Sequence, residues 1–140
     1  MKRRGTAEWS GDLRTGTGRV STESGALRDV AYGFGSRFED SQGSNPEELI
    51  GAAHAGCFSM ALSMMLGERQ LVPDRIETRA DVTLENRDGG FAVTAIHLDV
   101  TAKVPDADGG TFQQAAQDAK KGCPISKLVN AEITMDARLE

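Results

Sequence analysis

The chain has 140 residues, with 16 Lys and Arg against 21 Asp and Glu and a formal net charge of −5. That length makes a single domain, 1–140, and the acidic balance argues against a nucleic-acid partner or an anionic membrane surface, both of which need basic patches. Aromatic residues make up 5%, too few for a base-stacking platform. The two cysteines, Cys57 and Cys123, exclude a zinc ribbon and a disulfide-dense scaffold, and leave one disulfide or one redox pair open.

The N-terminal Met-Lys-Arg-Arg has no apolar run behind it, so no signal peptide is predicted and a cytoplasmic location is expected. There, a thiol pair is more often redox-active or metal-binding than a structural disulfide. Residues 1–36 are rich in Gly, Ser and Thr with short alternating stretches, which predicts two or three short strands. Gly16-Thr17-Gly18 lacks a third glycine at phosphate-loop spacing, Ser21 standing there instead, so no nucleotide loop is read from it.

A helix starts at Asn45-Pro46-Glu47-Glu48. Asn45 accepts from first-turn amides, Pro46 fits the first helical position, and Glu48 completes a capping box. Apolar residues then run to Leu66 on nearly every face, interrupted by Gly51, His54, Gly56, Ser59 and Ser63. A transmembrane span of about 20 residues competes, but the histidine, glycines and alanines make the stretch weakly hydrophobic. It is read as a buried central helix, with no membrane partner. One sheet covers only one face of such a helix, and a two-fold homodimer with paired central helices covers the other.

Residues 75–87 alternate, with Ile76, Thr78, Ala80, Val82 and Leu84 on one face, as in a half-buried strand. Asp88-Gly89-Gly90 turns the chain, and 91–104 alternates again, completing a long antiparallel hairpin. Thr111 to Gln114 reads as a second capping box opening a helix to about Lys121. Gly122 ends that helix, Pro124 opens a short turn, and 132–139 is a last strand. The order makes the fold class α+β.

Cys57 lies eleven residues after Pro46, about 16 Å along the helix. The helix dipole fades within the first turn, so a reactive Cys57 requires a cation brought to it by the fold. The alternative is a buried structural thiol. Cys123 sits at a helix junction in Lys120-Lys121-Gly122-Cys123-Pro124. His54 shares a helix face with Cys57, as a base beside a nucleophile, as one of two metal ligands, or as a satisfied polar histidine. The last is favoured, since a zinc site would need His97 and Cys123 as well.

These residues resemble a known family. Arg37-Phe38-Glu39-Asp40, the run from Asn45 to Met60, and Ala119 to Ser126 are similar to the family of OsmC and organic hydroperoxide resistance (Ohr) thiol peroxidases, over nearly the whole chain. His54 and Ile125 follow the OsmC branch. The resemblance implies an intertwined α+β homodimer with antiparallel sheets wrapped around two central helices. It implies Cys57 as peroxidatic thiol, Cys123 as resolving thiol, and Arg37 and Glu47 as the charged pair of the site. Attack by a Cys57 thiolate gives an alcohol and a sulfenic acid, which Cys123 condenses to a disulfide. Substrates are expected to be organic hydroperoxides ahead of hydrogen peroxide, in a pocket of aliphatic and Met side chains. An external dithiol, of lipoyl type in relatives, resets the pair, and no metal or organic cofactor is needed.

Glu47 and Cys57 are about 15 Å apart along one helix and roughly 80° apart around it. The expected site is therefore shared, with Arg37 and Glu47 from one subunit and Cys57 and Cys123 from the other. Two other readings stand beside this one: a non-catalytic stress or ligand-binding protein with an inert Cys57, and a hotdog-like acyl thioesterase with Glu47 as base.

Overall fold

Residues 1–140 are described by a computed structural model with six strands and four helices. They form two compact units, Met1–Leu49 and Ile50–Glu140. In the first, β1 (Gly5–Ser10), β2 (Thr17–Thr22) and β3 (Val30–Tyr32) form an antiparallel meander in sequence order. Every position of β1 is exposed, and the buried hydrophobic residues of the chain all fall between Phe58 and Cys123. A small sheet without a covered apolar face is marginal in water.

A five-residue helix, α1 (Phe34–Phe38), follows β3. The sequence reading contains no helix there, because five residues are too few to show a helical period. Ser36 holds its start: the hydroxyl accepts from the Gly33 amide at 3.0 Å and bonds the Ser44 carbonyl at 2.7 Å. The long helix α2 (Pro46–Gly67) begins where its sequence signals place it. Asn45 Oδ1 accepts the Glu48 amide at 2.8 Å. The Glu48 carboxylate accepts the Ser44 hydroxyl instead of closing a capping box.

In the second unit α2 buries Gly51, His54, Phe58, Ala61, Leu62 and Leu66, one face and not the whole circumference. Ala52, Ala53, Gly56, Met60 and Met64 are exposed. By length and composition α2 is able to cross a membrane, but Phe58, Leu62 and Leu66 are fully buried in the protein core. Gly51 permits close approach to the sheet, since a Cβ there would sit 3.0 Å from the Ala80 carbonyl oxygen. Ser59 bonds Thr78 at 2.9 Å.

β4 (Arg75–Arg87) and β5 (Gly90–Lys103) make the expected antiparallel hairpin. Its two-residue turn is Asp88-Gly89, with φ of 53° and 81°, the pair of left-handed residues that a type I′ turn demands. The inward row Ile96, Leu98, Val100 and Ala102 is fully buried. β6 (Glu132–Leu139) runs parallel to β5. The second sheet is thus mixed, not wholly antiparallel, because the helical connection after β5 is long enough to carry the chain back to its starting end.

That connection holds α3 (Gly109–Gly122) and α4 (Pro124–Leu128). The cap of α3 is Asp108, not Thr111. Its carboxylate accepts the Thr111 amide at 2.8 Å and the Thr111 hydroxyl at 2.6 Å. Asp is as good a cap as Thr, and Gly109-Gly110 hid the extra turn. Phe112, Ala115, Ala116 and Ala119 complete the core against β5. Arg69 ties α2 to α3 through Asp118 at 2.7 Å.

Candidate active site

The structure brings the sequence-predicted residues together as two pairs, each within its own unit. In the first unit Arg37 grips Glu47. Arg37 Nη2 donates to Oε1 at 2.8 Å, and Nε reaches both carboxylate oxygens at 3.2 and 3.3 Å. This is the forked geometry that guanidinium and carboxylate share. Asn45 aligns the two helices that carry the pair: while Oδ1 caps α2, Nδ2 donates to the Ser36 carbonyl of α1 at 3.2 Å. One side chain therefore sets Arg37 opposite the first turn of α2.

Arg37 also lies over the Phe38 ring, 5.2 Å from its centroid, and borders a cavity of about 280 Å³. Trp9, Tyr32, Phe34 and Phe38 line this cavity with Leu13 and Gly33. The chain has only one Trp, one Tyr and five Phe, and four of them gather here. The expected aliphatic and Met lining is not what surrounds Arg37. Met60 and Met64 face outward on α2 instead. A low aromatic content says nothing of where the few aromatics collect.

In the second unit Cys57 and Cys123 meet. Cys57 is half-buried, Cys123 is fully buried, and both are free thiols. The two sulfurs are in hydrogen-bonding reach of each other. Burial, and then the bond to Cys123, push the Cys57 thiol above its ordinary range, with the Ile125 amide working against them. No cation is among the groups that shift it. Burial also works against ionisation of Cys123, but the bond from Cys57, the amide and hydroxyl of Ser126 and the Ile125 amide outweigh it, and the thiol falls below its ordinary range. Cys123 makes no full capping bond at the start of α4, so these groups act on its sulfur at longer range. In this unit by itself, the first proton to leave the pair leaves from Cys123.

His54 is fully buried beside the pair, its Nε2 2.8 Å from Ser126 Oγ. Burial lowers its pKa below the ordinary 6.5. The favoured satisfied-histidine reading is met on one ring nitrogen only, because Nδ1 has no partner. His97 sits on the other face of β5, bonded to Thr134 at 2.7 Å and 3.4 Å from Asp136. Sequence reasoning missed Ser126 and Asn45 as parts of the site. For Asn45 the cap signal was visible, but not the second bond.

The family model for OsmC-like proteins matches residues 39–138, a span that holds Glu47, Cys57 and Cys123, with Arg37 just ahead of it. Peroxiredoxin OsmC of Escherichia coli is 54% identical over 140 residues, covering 100% of this chain and 98% of its own length. Organic hydroperoxide resistance protein OhrB of Bacillus subtilis is 29% identical over 124 residues, 88% of each chain. The crystal structure of OhrB superposes with a TM-score of 0.74 at 25% identity, over 99% of this chain and 98% of that one.

Proposed function

Because the chain belongs to the OsmC-like protein family, we propose that Cys57 takes the peroxide oxygen, that Cys123 resolves the product, and that Arg37 and Glu47 supply the charge the reaction needs. The activity itself, cysteine-based reduction of peroxides, follows from full-length similarity to a peroxiredoxin and from the Ohr relatives. The observation that carries the assignment of roles is the contact between the Cys57 and Cys123 thiols. Two cysteines so placed are able to close a disulfide without a large movement of either element.

The Cys57 thiolate attacks the terminal peroxide oxygen, an S–O bond forms and the O–O bond breaks. The leaving alkoxide takes a proton and departs as an alcohol. Cys123 then attacks the sulfenic sulfur; the S–S bond forms, the S–O bond breaks and water leaves. This closes the route to irreversible over-oxidation. An external dithiol, of lipoyl type in this proposal, is oxidised to its own disulfide and returns both thiols. The aromatic cavity beside Arg37 suits an organic hydroperoxide better than hydrogen peroxide, because it buries a hydrocarbon tail.

Cys57 needs a cation that its own unit does not supply. Arg37 fills that role when Arg37 and Glu47 of one subunit face Cys57 and Cys123 of the other in a homodimer. Two features support the dimer: the exposed row Ala52, Gly56, Met60 and Met64 on α2, at the i+4 spacing by which helices interlock, and the uncovered β1–β3 sheet. The family match spans both units, in keeping with one OsmC-like domain over 1–140. Two free thiols fit a cytoplasmic location. Glu47 is unsuited to act as a thioesterase base, since Arg37 engages both its oxygens.

The test is turnover of an alkyl hydroperoxide with a dithiol reductant. Cys57→Ser is expected to abolish it, and Cys123→Ser to allow a single turnover that ends in over-oxidised Cys57. Full turnover by Cys57→Ser would sink the assignment. A tandem-linked dimer with Glu47→Ala and Cys57→Ser in one half tests sharing: a shared site leaves neither site intact, whereas a site within one chain leaves one working.

A further inference from the structure

The second unit holds one buried titratable side chain that these steps leave unused. His54 stands three residues before Cys57 on α2 and is fully buried. Its Nε2 is 2.8 Å from Ser126 Oγ on α4, while Nδ1 is buried without a partner. Ser126 in turn acts on the Cys123 sulfur through its amide and its hydroxyl, both favouring the thiolate. Imidazole, hydroxyl and sulfur thus stand in line, ending on the thiol that must attack.

The orphan nitrogen fixes the direction of this line. A neutral imidazole carries one N–H and one lone pair, and a buried N–H without an acceptor is rarer than an unfilled lone pair. The proton therefore belongs on Nε2. Nε2–H donates to Ser126 Oγ, and that hydroxyl turns its own proton toward Cys123. Burial keeps the imidazole neutral, so His54 contributes an oriented donor and no charge.

We infer that His54 is a positioning residue for the resolving step: through Ser126 it fixes a hydrogen-bond donor on Cys123 Sγ and so favours the thiolate that attacks the Cys57 sulfenic acid. The inference rests on the peroxidatic and resolving roles proposed above. In the step itself Cys123 releases its proton to solvent and its sulfur bonds Cys57. The sulfenic oxygen leaves with a proton from solvent as water, and the only oxidant is the peroxide already consumed. The titratable groups that reach Cys123 are Cys57 and, through Ser126, His54, both from α2. Lys120 at the end of α3 is turned to the Ile133 carbonyl at 3.2 Å, and Lys127 belongs to the last turn of α4.

The test separates the two half-reactions. Reduced full-length protein is mixed with one equivalent of an alkyl hydroperoxide. Sulfenic acid is trapped with dimedone, and disulfide formation is followed by acid quench and mass spectrometry. Loss of a charge-assisted hydrogen bond makes the thiolate roughly ten to a hundred times rarer at neutral pH. The greater nucleophilicity of the more basic sulfur recovers about half of that on a logarithmic scale. Ser126→Ala and His54→Leu are therefore expected to slow disulfide formation about three- to tenfold at pH 7, with sulfenic acid formation within about twofold of wild type. The double variant should be no slower than the slower single one. His54→Gln, whose amide nitrogen stands near the Nε2 position, should stay close to wild type. Above the ordinary thiol range the deficit should vanish, because Cys123 is then ionised in every variant. Unchanged resolution in Ser126→Ala, or a deficit of the same size at every pH, would overturn the inference. Wild-type protein whose Cys57 is not oxidised at all would instead overturn the peroxidase roles beneath it.

Discussion

Asn45 offers the sharpest test of how the charged pair is built, because its two ends do separable work. Asn45→Ala removes the cap of α2, worth about 1 kcal/mol. It also leaves the Ser36 carbonyl without its donor, worth about 0.5–1.5 kcal/mol. The sum is about 2 kcal/mol. Unfolding entropy near 2.1 cal/mol/K per residue, over this length, converts that to a fall in Tm of roughly 7 °C. Asn45→Asp keeps the capping oxygen and adds a charge that favours the helix start, but lacks the amide donor. Its stability should stay within about 1 kcal/mol of wild type, a change in Tm of about 3 °C or less. Activity should divide differently. Both variants untie α1 from the start of α2, so Arg37 loses its alignment with Glu47, and a displacement near 1 Å costs up to about a hundredfold in rate. Hydroperoxide turnover should therefore fall at least about tenfold in both. Circular dichroism melts and steady-state turnover on the same preparations decide the matter. Asn45→Asp protein with full activity would refute the alignment argument, and so would Asn45→Asp protein as unstable as Asn45→Ala.

Three further outcomes are expected. Arg37→Lys keeps the charge but loses the fork, since an ammonium cannot make the two parallel bonds that Nε and Nη2 make; kcat/KM should drop about tenfold or more while urea stability moves by less than about 1 kcal/mol. His54 gives a signed pH dependence. Its native pKa is depressed below 6.5, so below that pH the unfolded chain takes up a proton that the folded chain does not. Stability must therefore fall as pH falls through 6.5, by up to about 1.4 kcal/mol per pH unit, and this component should be missing from His54→Leu when urea midpoints at pH 7.5 and 5.5 are compared. Replacing the outward Met60 and Met64 together by Glu should break the helix pairing of the proposed dimer. Sedimentation should then give a 14.9 kDa species without peroxidase activity, and wild-type protein that sediments at that mass would remove the basis for a shared site.

The amino-acid sequence displayed those features that are written locally. Asn45-Pro46-Glu47-Glu48 states a helix start in adjacent residues, and the structure caps α2 there. The alternation of 75–87 and 91–104 states a hairpin, and Asp88-Gly89 turns it. Where the signal was displaced by a few residues, as with Asp108 behind Gly109-Gly110, the helix was found but its cap was not. The parallel entry of β6 beside β5 had no local signature, since a strand reads the same in either direction.

The site divides along the same line. Arg37, Glu47, Cys57 and Cys123 were legible because two motifs in order resemble a family, while their chemistry depends on what surrounds them. Cys57 had already been seen to need a cation from elsewhere, from its distance along α2, and its upward-shifted thiol agrees with that. The fall in Cys123 was not foreseen. The neighbouring lysines suggested a thiolate, yet the groups that favour it are the Cys57 thiol, Ser126 and the Ile125 amide. Ser126 is 72 residues from His54. In sequence each is an ordinary polar residue on an ordinary helix. Only the packing of α4 against α2 makes the hydroxyl of one an acceptor for the ring of the other, and a residue that works through such a contact has nothing in its own neighbourhood to announce it.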